Sequence, residues 1–206
     1  MPDIETTSFD FSELLPAGMH LCYIYSDDAE REQTMAAFFA SGIARGQKGL
    51  SIVDTEHPHD VLTRMKDMGV TFAEDDRRFS TAPNDGAYCP HGAFSPDDML
   101  NGAQALYEHA RGEGFSGLSL SGDMSWAVRR KIGLDELLRY EVRVNEFLKA
   151  CPVTAICEYD ARKFDGKTIM DILNVHPAML VGGHVVRNPY FVRPEDALDG
   201  GEHLRH

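Results

Sequence analysis

Four stretches of this sequence gather side chains capable of chemistry. The first is Leu120-Ser121-Gly122-Asp123-Met124-Ser125-Trp126, where the single tryptophan, a carboxylate and a methionine follow an apolar run. A Met/Trp surface beside an acid suits a small, largely apolar ligand or a partner peptide. The same residues also suit a lid on the core (Met124, Trp126) and a turn cap (Asp123). The second is Glu141 with Asn145, one helical turn apart and on the face marked by Leu134, Leu138 and Leu148. A carboxylate turned inward must find a cation, several donors or a proton; Arg129, Arg130 and His176 are the candidates. The pair is read either as a structural ion pair and strand-end cap or as the polar lining of a pocket. The third is the glycine-rich loop from Asp85 to Phe94, which carries Tyr88, Cys89, His91 and Phe94. Cys89 and His91 are metal-ligand types, but a two-residue spacing with no second pair does not define a metal site, and no metal centre or cofactor is read here. The fourth is Tyr159-Asp160-Ala161-Arg162-Lys163-Phe164, which can complete a pocket or close an internal salt-bridged turn.

These stretches need elements to position them. Apolar runs rich in Val, Ile, Cys and aromatics predict strands at Leu21–Tyr25, Leu50–Asp54, Phe79–Thr81, Leu118–Ser121, Val153–Tyr159 and Met179–Val181, as central strands covered on both faces should look. Helices lie between them. Met35, Phe38, Phe39, Gly42 and Ile43 form one inward stripe, Val61, Leu62, Met65 and Met68 another, with Gly69 as a stop. Ser95-Pro96-Asp97-Asp98 opens a third helix with a capping serine, a first-turn proline and acids at the positive end of the dipole. It continues through Met99, Ala103, Leu106 and Ala110. Leu134–Leu148 and Asp165–Leu173 supply two more. Strands alternating with helices imply parallel pairing, so the fold class is an α/β three-layer domain, a mostly parallel sheet with helices on both faces. After Gly182-Gly183 a late edge hairpin or a strand packed across the sheet is expected. Residues 1–17 read as an irregular segment, 18–194 as the domain, and 195–206 as a polar tail.

In such sheets ligands bind beyond the carboxyl ends of the strands. The first strand-to-helix turn reads Tyr25-Ser26-Asp27-Asp28-Ala29-Glu30-Arg31-Glu32. It has no glycine and no lysine, and phosphate would meet net negative charge rather than a nest of amides. The acids also read as complements to the helix N-terminus; either reading argues firmly against a P-loop NTPase. No serine sits in a Gly-x-Ser-x-Gly elbow, His57-Pro58-His59 reads as exposed helix-opening sequence, and no recognisable catalytic set assembles.

The chain has 206 residues, 43% of them hydrophobic and 26% charged, with a net charge of −13. These are globular values, and the acidity argues against direct contact with nucleic acid or an anionic membrane surface. No apolar stretch reaches the roughly 20 residues that span a bilayer, and the start lacks the pattern of a signal peptide. Cys22, Cys89, Cys151 and Cys157 show no paired spacing; those inside strand-like runs behave as small hydrophobes. The expectation is a soluble, reduced, cytoplasmic protein.

His20-Leu21-Cys22-Tyr23-Ile24-Tyr25, Gly86-Ala87-Tyr88, Phe94-Ser95-Pro96, Gly122-Asp123-Met124-Ser125-Trp126, Tyr140-Glu141, Tyr159-Asp160, Phe164, His176-Pro177 and Asn188-Pro189-Tyr190 occur in this order. Together they resemble the MEDS family, the methanogen/methylotroph DcmR sensory domain, over about residues 18 to 193. The resemblance implies a RecA/KaiC-like fold that has lost its nucleotide loop. It also implies a sensory role alongside histidine kinases, other signalling domains or DNA-binding regions, with small C1 or hydrocarbon-derived compounds as ligands. A chain of this length has no room for a kinase or a helix-turn-helix, so regulation would pass through a signalling or transcription-regulatory protein.

The expected function is therefore a non-enzymatic sensor. Its small ligand would sit among Tyr25, Tyr88, His91, Phe94, Asp123, Met124, Trp126, Glu141, Asn145 and Tyr159. Trp126, Met124 and Phe94 would give apolar contact, and Asp123, Glu141 and Tyr88 would orient polar atoms. Two rivals stand beside it. One is a RecA-like interaction module without a ligand, for which self-association follows from fold analogy. The other is an enzyme, a residual phosphotransferase or a metal-dependent hydrolase using Cys89, His91 and Asp123.

Overall fold

The computed structural model describes residues 9–10, 18–53, 58–73 and 76–193. Six strands lie parallel: β2 (His20–Tyr25), β3 (Lys48–Val53), β4 (Phe79–Pro83), β5 (Leu118–Asp123), β6 (Val153–Asp160) and β7 (Ala178–Val181). β8 (His184–Arg187) runs antiparallel to β7, and β1 (Phe9–Asp10) antiparallel to β8. The sheet order is β1-β8-β7-β2-β6-β5-β3-β4. The late segment is thus an edge hairpin, not a crossing strand. Its two-residue loop is Gly182-Gly183, with φ of 55° and 80°, and a tight hairpin with positive φ at both central residues calls for glycine. The N-terminal segment, expected to be irregular throughout, contributes the short edge strand β1. The whole of the expected tail, residues 195–206, the end of the expected strand at Asp54, and His57 lie outside the described residues.

The chain steps outward from β2 to β4, then returns through β5 and β6 to β7. Crossovers of one hand place outward and returning helices on opposite faces. α1 (Asp28–Ala44) and α2 (Pro58–Asp67) accordingly cover one face. Phe38, Phe39, Met35 and Met65 pack there on Leu21, Tyr23 and Ile156. On the other face lie α3 (Asn84–Tyr88), α4 (Pro96–Gly112), α5 (Ser125–Arg129), α6 (Leu134–Ala150) and α7 (Gly166–Val175). They pack on Cys22, Leu120, Ala155, Cys157 and Tyr159. All eight residues of β6 are buried, as a central strand covered on both faces requires.

Helix ends follow local chemistry. Ser95 Oγ accepts the Asp98 amide at 3.2 Å with Pro96 in the first turn, and Asp165 accepts the Thr168 amide at 2.9 Å. Asp27 caps α1 by accepting the Glu30 amide at 2.8 Å. The stripes differ in places from the sequence reading. Met68 falls past the end of α2 and Leu106 on the outer side of α4, 47% and 44% exposed. On α6 the buried face is Leu137, Tyr140, Glu141, Val144 and Leu148, with Leu134 and Leu138 half-buried at its margin. The expected stripe was rotated by about one residue, and Glu141 stays at its centre.

Candidate functional site

Side chains alternate along a strand, so the pairing of β2 with β6 decides what meets what. His20 pairs with Ala155 and Cys22 with Cys157. His20, Cys157 and Tyr159 therefore share the α6 face, while Glu158 turns to the α1 face. Glu141 descends from α6 onto the first group, fully buried. Tyr159 Oη donates to Glu141 Oε1 at 2.5 Å. Glu141 Oε2 lies 3.2 Å from His20 Nε2, 3.4 Å from Cys157 Sγ and 3.5 Å from His176 Nε2. His20 Nε2 is also 3.3 Å from Cys157 Sγ, and the two imidazole rings stand 4.2 Å apart.

The outer nitrogens of both histidines are held. His176 Nδ1 meets the carbonyl of Ile172, one turn back on α7, at 2.8 Å. His20 Nδ1 meets Asn145 Oδ1 at 2.9 Å, and the Asn145 amide in turn donates to the Val175 carbonyl at 2.8 Å. Burial, and then the neighbouring His176, take the His20 imidazole below its ordinary value, towards the neutral form. For Glu141 burial alone would push upward, but the two imidazoles beside it, His176 and then His20, hold its carboxyl net below the usual range. Burial raises the Cys157 thiol and the Tyr159 hydroxyl, with the Glu141 charge adding to both.

Beside this centre lies an apolar cavity of about 40 Å³ between the sheet and α4 and α6, lined by Tyr88, Gly122, Tyr140, Val144, Ala155 and Cys157, among others. Gly122 is what allows Tyr88 over the sheet: a Cβ there would stand 2.1 Å from Tyr88 Oη. Tyr88 stacks on Trp126 at 4.5 Å between ring centres, Phe94 tilts against Trp126 at 4.8 Å and edges onto Tyr140 at 5.5 Å. Met124 Sδ receives Tyr88 Oη at 3.6 Å. Trp126 is 1% exposed, and its Nε1 has no hydrogen-bond partner among the described residues.

A third region lies at the carboxyl ends of the strands, a polar cleft of about 410 Å³ lined by Tyr25, Asp28, Arg31, Asp123, Asp160 and Arg162, among others. Arg31 Nε donates to Glu158 Oε2 at 2.6 Å, and its Nη2 lies 3.7 Å from Asp123 Oδ2. Asp123 also accepts the Ser125 amide at 2.8 Å. Arg162 joins Asp160 at 2.7 Å and Asp28 at 2.6 Å, so the Tyr159–Phe164 stretch closes as a salt-bridged turn. The hydrogen bond from Arg162 holds the Asp160 carboxyl below its ordinary value.

The ten residues expected to surround one ligand thus fall into separate places. Tyr88, Phe94, Met124 and Trp126 form the aromatic group next to the cavity. Glu141, Asn145 and Tyr159 belong to the histidine centre, and Tyr25 and Asp123 to the polar cleft. His91 is exposed on its loop and joins none of them. Of the three candidate partners for Glu141, His176 is the one in place; Arg130 instead pairs with Asp85 at 2.7 Å, and Arg129 reaches the same carboxylate at 3.5 Å. His20 and Cys157 were not singled out for the site. Cys157 in particular read as a small hydrophobe, and only its pairing opposite β2 shows it facing two polar groups. Among the described residues, the one group of three or more metal-ligating side chains is His20, Glu141, Cys157 and His176, all buried; Cys89 and His91 are not part of it.

Among the described residues no helix is long and apolar enough to cross a membrane. The structure resembles the flagellar accessory protein FlaH from Methanocaldococcus jannaschii, with a TM-score of 0.56, 7% identity, and coverage of 85% of this chain and 78% of that one. It also resembles a KaiC-like protein from Pyrococcus horikoshii OT3, with a TM-score of 0.56, 15% identity, and coverage of 80% and 71%. The fold is therefore RecA/KaiC-like. In sequence, 80 residues are 34% identical to the transcriptional repressor DcmR of Methylorubrum extorquens, a match covering 38% of this chain and 30% of the repressor. A family profile described as the methanogen/methylotroph DcmR sensory domain matches residues 19–177. The chain belongs to that MEDS family of sensory domains.

Proposed function

We propose that the chain is a non-enzymatic sensor that takes a small apolar molecule into the cavity under α4 and α6 and signals to a transcription-regulatory partner. The observation that carries this reading is the cavity itself: about 40 Å³ of space with an almost wholly apolar wall, next to the packed Tyr88, Phe94 and Trp126 rings. A water needs roughly 10–15 Å³ on such a measure, so the space suits a compound of about one to three heavy atoms. That is the size of a C1 or short hydrocarbon-derived compound. Membership of a sensory family and the partial match to a repressor support a regulatory role. Tyr88 lines the cavity and is the C-terminal residue of α3, so an occupant pushes directly on the segment leading to Phe94 and α4. A ligand that prefers one arrangement of that segment shifts its population and the surface it presents.

The first turn supports recognition rather than phosphate chemistry. Asp27 already occupies the α1 amide end, and Asp28, Asp123 and Asp160 line the cleft where a nucleotide phosphate would lie.

The test is a titration of short haloalkanes, alcohols and methylated amines, read by Trp126 fluorescence and thermal unfolding. A binder at 100 times its Kd stabilises by about 2.7 kcal/mol. Ala103→Leu, which fills the cavity wall, should remove the response while the protein still unfolds cooperatively. If no compound class moves either signal, or if magnesium-ATP alone raises the melting temperature, the reading fails.

A further inference from the structure

We infer that His20, Glu141, Cys157 and His176 form a site for one divalent transition-metal ion of the zinc type, bound through His20 Nε2, His176 Nε2, Glu141 Oε2 and Cys157 Sγ. The inference is independent of the small-molecule reading.

The hydrogen-bond bookkeeping leads to it. A backbone carbonyl only accepts, so His176 Nδ1, 2.8 Å from the Ile172 carbonyl, carries its proton. The Asn145 amide group donates to the Val175 carbonyl, which turns Asn145 Oδ1 to His20, so His20 Nδ1 carries its proton too. In its neutral form each ring then aims a bare Nε2 lone pair inward. They converge on Glu141 Oε2, itself an acceptor, at 3.2 Å and 3.5 Å. His176 Nε2 is buried and has no hydrogen-bond partner among the described residues. Three acceptors face one another with a single thiol proton among them, which is the arrangement a cation resolves.

The geometry fits a small ion. A tetrahedron with metal–ligand bonds of about 2.0–2.3 Å has edges of roughly 3.3–3.8 Å. Four contacts among the donors measure 3.2, 3.3, 3.4 and 3.5 Å, and one donor atom from each of the four residues lies within 4.8 Å of the others. Two imidazoles, a carboxylate and a thiolate are a borderline-soft donor set that suits zinc rather than magnesium or calcium. On binding, the Cys157 S–H bond breaks, its proton leaves to solvent and the thiolate sulfur bonds the metal. The carboxylate and thiolate then balance the charge of a divalent ion inside the core. Each ligand is oriented from behind: His20 by Asn145, His176 by Ile172 and Glu141 by Tyr159, the outer support that metal sites use. Access lies along a surface groove of about 290 Å³ lined by His20, Asn145, Pro177 and Phe191, among others. Cys157 also lines the apolar cavity.

The test uses the untagged full chain, stripped with a chelator and titrated with Co²⁺. One equivalent should bind, with visible bands of a four-coordinate site and a near-ultraviolet thiolate-to-cobalt band. Cys157→Ser should remove the thiolate band and Cys89→Ser should keep it. Asn145→Ala, which frees the His20 ring and the Val175 carbonyl but keeps all four ligands, should weaken affinity roughly 10- to 100-fold. Zn²⁺ should displace the cobalt. X-ray absorption of the unsubstituted zinc-loaded protein should show one sulfur and three nitrogen or oxygen neighbours, a readout that needs no variant to fold. No uptake by the folded chain, or a shell without sulfur, overturns the inference and leaves a buried imidazolium–carboxylate pair in its place.

Discussion

The thiol of Cys157 lies 3.4 Å from the carboxylate of Glu141 and, at the same time, on the wall of the apolar cavity under α4 and α6. One residue of the central strand therefore joins the polar centre of the domain to the space proposed for its ligand. A change on either side of that sulfur has a direct path to the other.

Glu141 holds this centre together. In metal-free protein, Glu141→Leu leaves Tyr159 and Cys157 without their shared acceptor and should cost about 3–5 kcal/mol, read as a lower denaturant midpoint. Glu141→Gln keeps an acceptor for Tyr159 and should cost less. Equal and negligible losses for the two variants would mean that the carboxylate is not structurally coupled to its neighbours.

Glu158, on the opposite face of the same strand, predicts a pH dependence. Burial raises its carboxyl above the ordinary value, Arg31 only partly opposing this, and its Oε1 has no hydrogen-bond partner among the described residues. A raised folded value means that the contribution is fully present below the unfolded value, about 4.3, and is lost as pH rises through the folded one. The unfolding free energy of the native protein should therefore fall relative to that of Glu158→Gln as pH rises from about 4 towards neutrality. Parallel pH profiles for the two proteins would contradict it.

Gly122 is predicted to tolerate no side chain. A Cβ would stand 2.1 Å from Tyr88 Oη, so Gly122→Ala must displace the ring stacked on Trp126. Overpacking of this kind costs about 1–3 kcal/mol, and the emission of Trp126 should shift with it. Unchanged stability and emission would show that Tyr88 moves freely.

Much of the fold is legible from local chemistry. The alternation of apolar runs with amphipathic helices reports the layered α/β class, Ser95-Pro96 marks a helix start, and Gly182-Gly183 marks a tight turn, because each depends on a few adjacent residues. The acids of the first turn likewise exclude a phosphate loop without reference to the rest of the chain. The Glu141 stripe was visible too, although rotated, since an inward carboxylate breaks the apolar periodicity of α6 on its own.

The assembly of the site belongs to tertiary structure. His20, Glu141, Cys157 and His176 come from β2, α6, β6 and the end of α7, and no spacing in the chain links them. They meet because β6 and β7 flank β2, with Cys22 opposite Cys157 and Cys22 opposite Met179. That order and register arise from burying the whole sheet at once, a long-range choice that no local pattern encodes. Hence a cysteine that looks like any small apolar residue in sequence stands in the fold between two histidines' carboxylate and a cavity.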